Sequence, residues 1–309
     1  MGPDEVQSAV RALRGGELVI LPTETVYGLA CDAADPRAVA KVFAAKGRPR
    51  FNPMIAHVTG LEAALAVARL DARAVRLAEA FWPGPLTLVA QVRDPEAVCD
   101  LARAGLDTVA VRAPDHPLAQ AVLQAFGGPL AAPSANRSGR PSPTTFADAV
   151  EETGEAAAVA LDGGPCRVGL ESTVIGVFDE ALTLLRPGGV TREAIEAVAG
   201  LLAEAGDEAR RSPGRLARHY APSAPLRLDI QTPRPGHAFL AFGPDGPEGP
   251  LVWNLSLGGD VTEAAANLFA LLRQADRAGP AGIDVAPIPD AGLGEAINDR
   301  LRRAAGQVG

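Results

Sequence analysis

Several short apolar runs in the first two thirds of this chain stop abruptly at polar residues, and that repeated ending constrains the fold more than any single motif. Leu18-Val19-Ile20-Leu21 runs into Pro22-Thr23-Glu24-Thr25-Val26-Tyr27-Gly28-Leu29. The alternating stretch Thr108 to Ala113 is interrupted near its end by Arg112. Pro129 to Ala132 leads into Pro133-Ser134-Ala135-Asn136-Arg137-Ser138-Gly139-Arg140-Pro141-Ser142, and Leu182 to Leu185 into Arg186-Pro187-Gly188-Gly189. Runs of this length, bounded by Gly and Pro and rich in branched side chains, predict buried strands with helical stretches between them. A sheet that gathers their ends places hydroxyl, amide and guanidinium groups around one cavity.

The stretch Lys46-Gly47-Arg48-Pro49-Arg50-Phe51-Asn52-Pro53-Met54-Ile55-Ala56-His57-Val58 carries the densest chemistry. Asp35-Pro36 predicts a helix start and Gly47 its stop. Lys46 and Arg48 then fall at a helix C-terminus, which itself favours cations. That placement explains one charge but not the asparagine, the two prolines or His57. No Asp or Glu occurs from Pro36 to Leu61 or from His116 to Ala147, in a chain whose net charge is −8. Both windows are locally positive against an acidic background and suit an anion. Lys41 and Lys46 are the only lysines; every other basic residue is arginine. Lysine offers a compact point charge where arginine offers a planar fork, so a lysine kept at position 46 is a candidate for specific chemistry.

With 309 residues the chain is long enough for about two domains. The N-terminus lacks the basic start and apolar run of a signal peptide, and no window is apolar enough to span a bilayer, so a cytoplasmic protein without membrane contact is expected. Cys31, Cys99 and Cys166 are far apart and odd in number, which argues against a disulfide framework and a structural zinc site. Overall acidity and 4% aromatic residues count against a general nucleic-acid binder.

Helices are predicted from Asp4 to Leu13, from Leu61 to Phe81, from His116 to Phe126 and from the capping Thr191 to about Glu204. A first domain over 1–205 is followed by a linker over 206–225, containing Ser212-Pro213-Gly214 and His219-Tyr220-Ala221-Pro222. A small open α/β domain over 226–309 completes the chain, with strands at Ala238 to Phe242, Leu251 to Leu255 and Ile283 to Pro287.

No phosphate loop of the G-x-x-x-x-G-K-[ST] type, no G-x-S-x-G elbow and no H-E-x-x-H occurs. The strand ends bind and polarise an anion without offering an attacking side chain. Phosphoryl or nucleotidyl transfer between two bound substrates fits, because positioning and charge stabilisation carry most of that catalysis.

These motifs resemble the long, two-domain form of the L-threonylcarbamoyladenylate synthase family. The resemblance rests on the Pro22–Leu29 segment, Lys46-Gly47-Arg48-Pro49 with Asn52-Pro53 and His57, Pro133-Ser134-Ala135-Asn136, Glu171-Ser172-Thr173-Val174 and Leu185-Arg186-Pro187-Gly188. It spans about residues 5 to 205 and extends into the linker. It implies an α/β fold: a twisted mixed sheet with helices forming a YrdC-like catalytic domain, then the linker and a small Rossmann-like α/β domain. It implies a nucleotidyltransferase that makes L-threonylcarbamoyl-AMP and pyrophosphate from ATP, L-threonine and bicarbonate or CO2. Mg2+ would accompany the ATP, with no protein ligand assigned. The product would pass to the tRNA threonylcarbamoyl-transfer machinery that modifies an adenosine next to the anticodon; whether tRNA binds directly stays open.

Carried over residue by residue, the resemblance puts Thr25, His57, Arg112, Ala132 and Ser172 on the threonine side. Lys46, Arg48, Asn52, Thr108, Ser134, Asn136, Ser142, Arg186 and the linker's Tyr220 fall on the ATP side, with Lys46 and Arg48 catalytic. The linker's Gly214-Arg215-Leu216-Ala217-Arg218 departs from the family in lacking Met and Lys. Two alternatives accompany this reading. One is a double-stranded RNA-binding module with a YrdC-like fold. The other, a carbamoyl-transferring hydrogenase-maturation module, would bring acylphosphatase and cysteine-rich segments that this chain lacks.

Overall fold

The computed structural model describes residues 3–49, 51–178, 181–206 and 219–307. Arg50 and the linker residues Ser212-Pro213-Gly214 through Arg218 lie outside the described residues. The chain order is α1 (Pro3–Arg14), β1 (Leu18–Leu21), β2 (Gly28–Asp32), α2 (Pro36–Lys46), β3 (Ile55–His57), α3 (Leu61–Val67), α4 (Ala72–Phe81), β4 (Leu86–Gln91), β5 (Thr108–Arg112), α5 (Pro117–Phe126), β6 (Leu130–Ala131) and α6 (Phe146–Thr153). It continues with β7 (Ala157–Ala160), β8 (Thr173–Gly176), β9 (Thr183–Arg186), α7 (Arg192–Ala199), β10 (Ala203–Glu204), β11 (Leu226–Arg227), β12 (Ala238–Ala241), β13 (Val252–Asn254), α8 (Val261–Arg277), β14 (Ile283–Val285) and α9 (Leu293–Ala304).

The first ten strands form one mixed sheet in the order β10-β9-β8-β4-β5-β3-β6-β2-β1-β7. Strands β3 and β5 run parallel with His57 paired to Arg112; β4 is antiparallel to β5 and parallel to β8, which is antiparallel to β9. The carboxyl ends of β3, β5 and β9 and the amino end of β8 therefore meet on one edge. That directionality converts separate sequence motifs into one site.

Local chemistry sets the element that delivers Lys46. Asp35 caps α2 by accepting from the Arg37 amide, Pro36 opens it, and Gly47 ends it in the left-handed region at φ 58°, where its amide bonds back to Phe43 and Ala44 carbonyls. Val39, Val42 and Phe43 bury the inner face of α2 in the main core, beside Leu29, Ala56 and Val109 of the sheet. Burial of each such side chain stabilises by roughly 1.5–3 kcal/mol before entropy is counted.

Two predicted helices are shorter than their periodicity suggests. Leu61 to Phe81 is interrupted because Ala68 is extended and bridges Val92, with Arg69 N–H donating to the Gln91 carbonyl at 2.8 Å. Asp71 then recaps the chain by accepting from the Arg73 and Ala74 amides. The helix after Thr191 ends at Ala199, and Ala203–Glu204 becomes an edge strand parallel to Thr183–Leu184. In both places pairing with the sheet overrides local helical preference.

The remaining four strands form a parallel sheet in the order β11-β14-β12-β13, flanked by α8 and α9. Its core of Leu240, Leu268, Phe269, Ile283, Val285 and Ile297 also takes in Val26 and Leu170 from the first sheet's loops, and Tyr220 from the linker. At Gly169 a Cβ would stand 2.5 Å from the backbone of Ala265 and Ala266 in α8, so the two halves approach at a point with no room for a side chain. No helix among the described residues is long and apolar enough to cross a membrane.

Candidate active site

The strand ends and the Ala132–Ser134 turn enclose a cavity of about 560 Å3, counting its open mouth. Thr25, His57, Arg112, Ala132 and Ser172 all line it, and so do Arg48, Ser134, Arg186 and Tyr220. Residues from opposite ends of the first 220 positions thus reach one volume of the size that ordinary ligand pockets have.

Arg112, at the end of β5, is fixed on three sides. Its Nε donates to the Gly84 carbonyl at 3.2 Å and its Nη1 to Thr25 Oγ1 at 2.8 Å, while Nη2 lies 2.6 Å from Glu24 Oε1. The last contact is an ion pair off the hydrogen-bonding direction, since neither Glu24 oxygen nor Arg112 Nη2 has a hydrogen-bond partner. Thr23 Oγ1 donates to the Val26 carbonyl at 2.6 Å, so the 2.8 Å contact between Thr23 and Thr25 hydroxyls takes its proton from Thr25. Thr25 Oγ1 is left to accept from Arg112. Protons therefore run in one sense along the turn and hold the guanidinium at the cavity wall.

His57 is buried beside Arg112, its Nδ1 3.2 Å from the Ile55 carbonyl. Burial first and the Arg112 charge second push its pKa down to about 3, which leaves the imidazole neutral at neutral pH. Ser172 Oγ sits 2.7 Å from Thr87 Oγ1, and Arg186 Nη2 donates to the Ser172 carbonyl at 2.8 Å.

At the other end Arg48 Nη2 donates to the Pro53 carbonyl at 2.9 Å, and burial lowers its pKa to about 10. Lys46 Nζ donates to the backbone carbonyls of Ser134 and Asn136, and Ser138 N–H returns a bond to the Lys46 carbonyl at 2.7 Å. Burial, then the nearby Arg48 charge, hold the Lys46 pKa well below its ordinary value. Asn136 spans the loop by donating to the Arg137 and Arg140 carbonyls at 2.8 and 2.9 Å and accepting from Ser134 Oγ at 2.5 Å. Ser142 Oγ donates to Glu171 Oε1 at 2.5 Å.

Lys46, Asn52, Thr108, Asn136 and Ser142 are buried but do not line the cavity. Lys46, Asn136 and Ser142 instead shape the Ser134–Ser142 loop at its wall. Thr108 stands at the start of β5, the strand that Arg112 ends, with its hydroxyl buried and unpartnered. Tyr27, one of the polar residues in the Pro22–Leu29 segment, turns away from the cavity: its hydroxyl donates to the Gly164 carbonyl at 2.7 Å and accepts from the Gly163 amide at 3.1 Å.

Glu171, from the Glu171-Ser172-Thr173-Val174 motif, and His219, beside Tyr220 in the linker, also line the cavity. Burial alone would raise the Glu171 pKa, but Arg300, Arg186 and the Ser142 hydroxyl overcome it and hold the carboxyl below its ordinary range. The Tyr220 hydroxyl and His219 Nδ1 are buried without hydrogen-bond partners, and the two rings meet edge to face at 3.9 Å. Among the described residues no group of three His, Cys, Asp or Glu side chains could hold a metal ion.

Residues 11–188 match a family profile described as Telomere recombination (Sua5, YciO and YrdC), and residues 190–306 match one described as Threonylcarbamoyl-AMP synthase, C-terminal domain. The threonylcarbamoyl-AMP synthase of Pyrococcus abyssi is 40% identical, with 98% of this chain and 94% of the relative covered. That of Bacillus subtilis is 39% identical, with 98% and 93% covered. The crystal structure of P. abyssi Sua5 complexed with L-threonine superposes with a TM-score of 0.90 at 39% identity, covering 98% of this chain and 94% of that one.

Proposed function

We propose that this chain, which belongs to the threonylcarbamoyl-AMP synthase family, joins ATP, L-threonine and bicarbonate or CO2 into L-threonylcarbamoyl-AMP with release of pyrophosphate. The single observation that carries the reading is the shared cavity, which Thr25, His57, Arg112, Ala132 and Ser172 line together with Arg48, Ser134, Arg186 and Tyr220, three of these residues being arginines.

The nucleophile comes from the substrate. Threonine's amine captures CO2 and becomes a carbamate, losing a proton. A carbamate oxygen attacks the α-phosphorus, the new O–P bond forms, and the bond from that phosphorus to the bridging oxygen breaks with its electron pair leaving on pyrophosphate. Arg112 takes the amino acid's carboxylate, and neutral His57 supplies a hydrogen-bonding ring without adding charge. Arg48 and Arg186, which line the cavity, offset the charge that develops on the phosphates, each charge-assisted hydrogen bond being worth roughly 1.5–3 kcal/mol, while Lys46 acts on the nucleotide through the Ser134 and Asn136 carbonyls that it holds. His219 and Tyr220 cover the cavity and keep water from the labile carbamate.

Mg2+ would accompany ATP as its counter-ion, with no protein ligand assigned to it. The cavity's guanidinium and hydroxyl lining suits a metal already ligated by its nucleotide. The product serves threonylcarbamoyl modification of a tRNA adenosine next to the anticodon, a cytoplasmic task, and the downstream transfer machinery is the expected partner. Relatives at 39 and 40% identity across the chain named as synthases put this reading ahead of an RNA-binding module. Purified protein should release pyrophosphate from ATP only when threonine and bicarbonate are both present; threonine-independent release would overturn the assignment.

A further inference from the structure

Four arginines cross or line the contact between the two sheets, and they divide by what they grip. Arg277, at the end of α8 and half exposed, ends on Asp148 and Glu151 of α6. Arg192 of α7 pairs with Glu295 of α9 at 2.7 Å. Both contacts join helix to helix, and neither pairs with a residue that lines the cavity or belongs to the Ser134–Ser142 loop.

Arg273 and Arg300 differ in burial and in target. Arg273, 4% exposed, leaves α8 to donate Nη1 to Glu152 Oε1 at 3.0 Å and Nη2 to the Pro141 carbonyl. Glu152 in turn accepts from the Arg137 amide at 2.8 Å and pairs with Arg140 Nε at 3.1 Å. Arg300, 1% exposed, leaves α9 to donate Nε to Glu171 Oε2 at 2.7 Å and Nη2 to the Pro187 carbonyl at 3.0 Å. The other oxygen of Glu171 holds the Ser142 hydroxyl at 2.5 Å. Ala221 N–H adds a bond to the Gly139 carbonyl at 2.8 Å.

The Ser134–Ser142 loop is thus gripped at its start by Lys46 of the first domain and at its end by buried Arg273 of the second directly and by buried Arg300 through Glu171. We infer that Arg273 and Arg300 are positioning residues for the nucleotide: they set the shape of this loop, so the ATP end of the cavity is complete only when the second domain is docked, while the threonine end is complete without it. This rests on the reading of Ser134, Asn136 and Ser142 as the ATP side. None of the threonine-side residues Thr25, His57, Arg112 and Ala132 bonds to α8 or α9; their partners Gly84, Glu24, Thr23 and Ile55 belong to the first sheet and its loops. Ser172 bonds to Thr87 and Arg186, and shares only its neighbour Glu171 with the second domain.

The test uses the full chain with Arg273→Met, Arg300→Met and Arg277→Met, measuring threonine- and bicarbonate-dependent pyrophosphate release. Arg273→Met and Arg300→Met should raise the Michaelis constant for ATP by about tenfold or more while that for threonine moves by less than about twofold. Arg277→Met, which loosens the same contact without touching the loop, should leave both constants within about twofold. Equal effects in all three variants would assign the change to the general strength of the contact and overturn the inference, as would an unchanged ATP constant in both buried variants. Arg300→Met leaves Glu171 without its cation; if that variant does not fold, Arg273→Met decides the matter, because Glu152 keeps Arg140 and the Arg137 amide. If the unmodified protein shows no threonine-dependent release, the proposed reaction fails instead, and ATP titration calorimetry on the same variants still reads the inference by the same ratio.

Discussion

Glu24 and Arg112 form an ion pair with both side chains buried, Oε1 and Nη2 2.6 Å apart at the wall of the cavity. The carboxylate has no other partner, so its burial depends on the guanidinium. Glu24→Gln should destabilise the protein by about 3–5 kcal/mol, because it leaves the Arg112 cation buried without a counter-charge. Arg112→Met should do the same to Glu24. The double variant should cost less than the sum of the two, since two neutral side chains need no compensation. Denaturant unfolding of the four proteins checks this. Strict additivity would mean the pair carries no coupling energy.

Lys46, the last residue of α2, holds the Ser134 and Asn136 carbonyls of the loop it faces. Lys46→Ala should lower the rate of pyrophosphate release by about two orders of magnitude, the range for misplacing groups that position a substrate. Threonine binding by calorimetry should change little, since Lys46 Nζ bonds to the Ser134 and Asn136 carbonyls and not to the residues assigned to threonine. Far-UV circular dichroism checks that the fold is retained. Survival of turnover would remove Lys46 from the proposed chemistry.

These two residues differ in how far the sequence revealed them. Asp35-Pro36 and Gly47 announced α2, and so the position of Lys46, because capping is settled within a few residues. Strand ends such as Arg112 and Arg186 were legible because a lone arginine terminates an apolar run. What Lys46 grips was not legible, since Ser134 and Asn136 are supplied by another strand. Ala68 and Ala203 were misjudged for the same reason: their partners Val92 and Thr183 lie elsewhere in the chain, and pairing outweighed helical periodicity. Arg273 and Arg300 gave no signal, because an arginine on an amphipathic helix ordinarily reads as solvated. Only packing against Glu152 and Glu171, more than a hundred residues away, makes them buried.

Acid should destabilise the protein before its carboxylates begin to titrate. His57 and His219 are held near pKa 3 in the folded state, chiefly by burial, against 6.5 when exposed. Between those values the unfolded chain binds more protons than the folded one, so stability falls as pH drops below 6.5. Each histidine contributes up to about 1.4 kcal/mol per pH unit in that window. Carboxylates held low, such as Glu171, add to the loss only below about pH 4.5. Thermal melts between pH 6.5 and 5 therefore isolate the histidines. His219→Gln should flatten the slope; an unchanged slope would place the acid sensitivity elsewhere.

Gly188 tests whether the cavity depends on a close approach between backbones. A Cβ there would lie 2.3 Å from the Glu171 carbonyl oxygen and 2.4 Å from both the Ser172 carbonyl carbon and the Thr173 nitrogen. All three belong to the entry into β8, and the neighbouring Gly189 amide already donates to the Glu171 carbonyl at 3.0 Å. Backbone atoms cannot rotate aside as a side chain would, so Gly188→Ala must push the Arg186–Gly189 turn away from β8. Overpacking of this kind costs about 1–3 kcal/mol. On the proposed assignment the displacement also reaches both substrates, because Ser172 is assigned to threonine while Glu171 links Ser142, assigned to ATP, to Arg300. Michaelis constants for ATP and threonine should therefore rise together. Gly127 supplies the contrast: it caps α5 at φ 84° with nothing within 4 Å of its Cβ position. Gly127→Ala should cost about 1–3 kcal/mol of backbone strain and leave both constants unchanged. Similar losses of stability with different effects on turnover would separate contact at the site from strain outside it, whereas equal kinetics in the two variants would show that β8 tolerates the displacement.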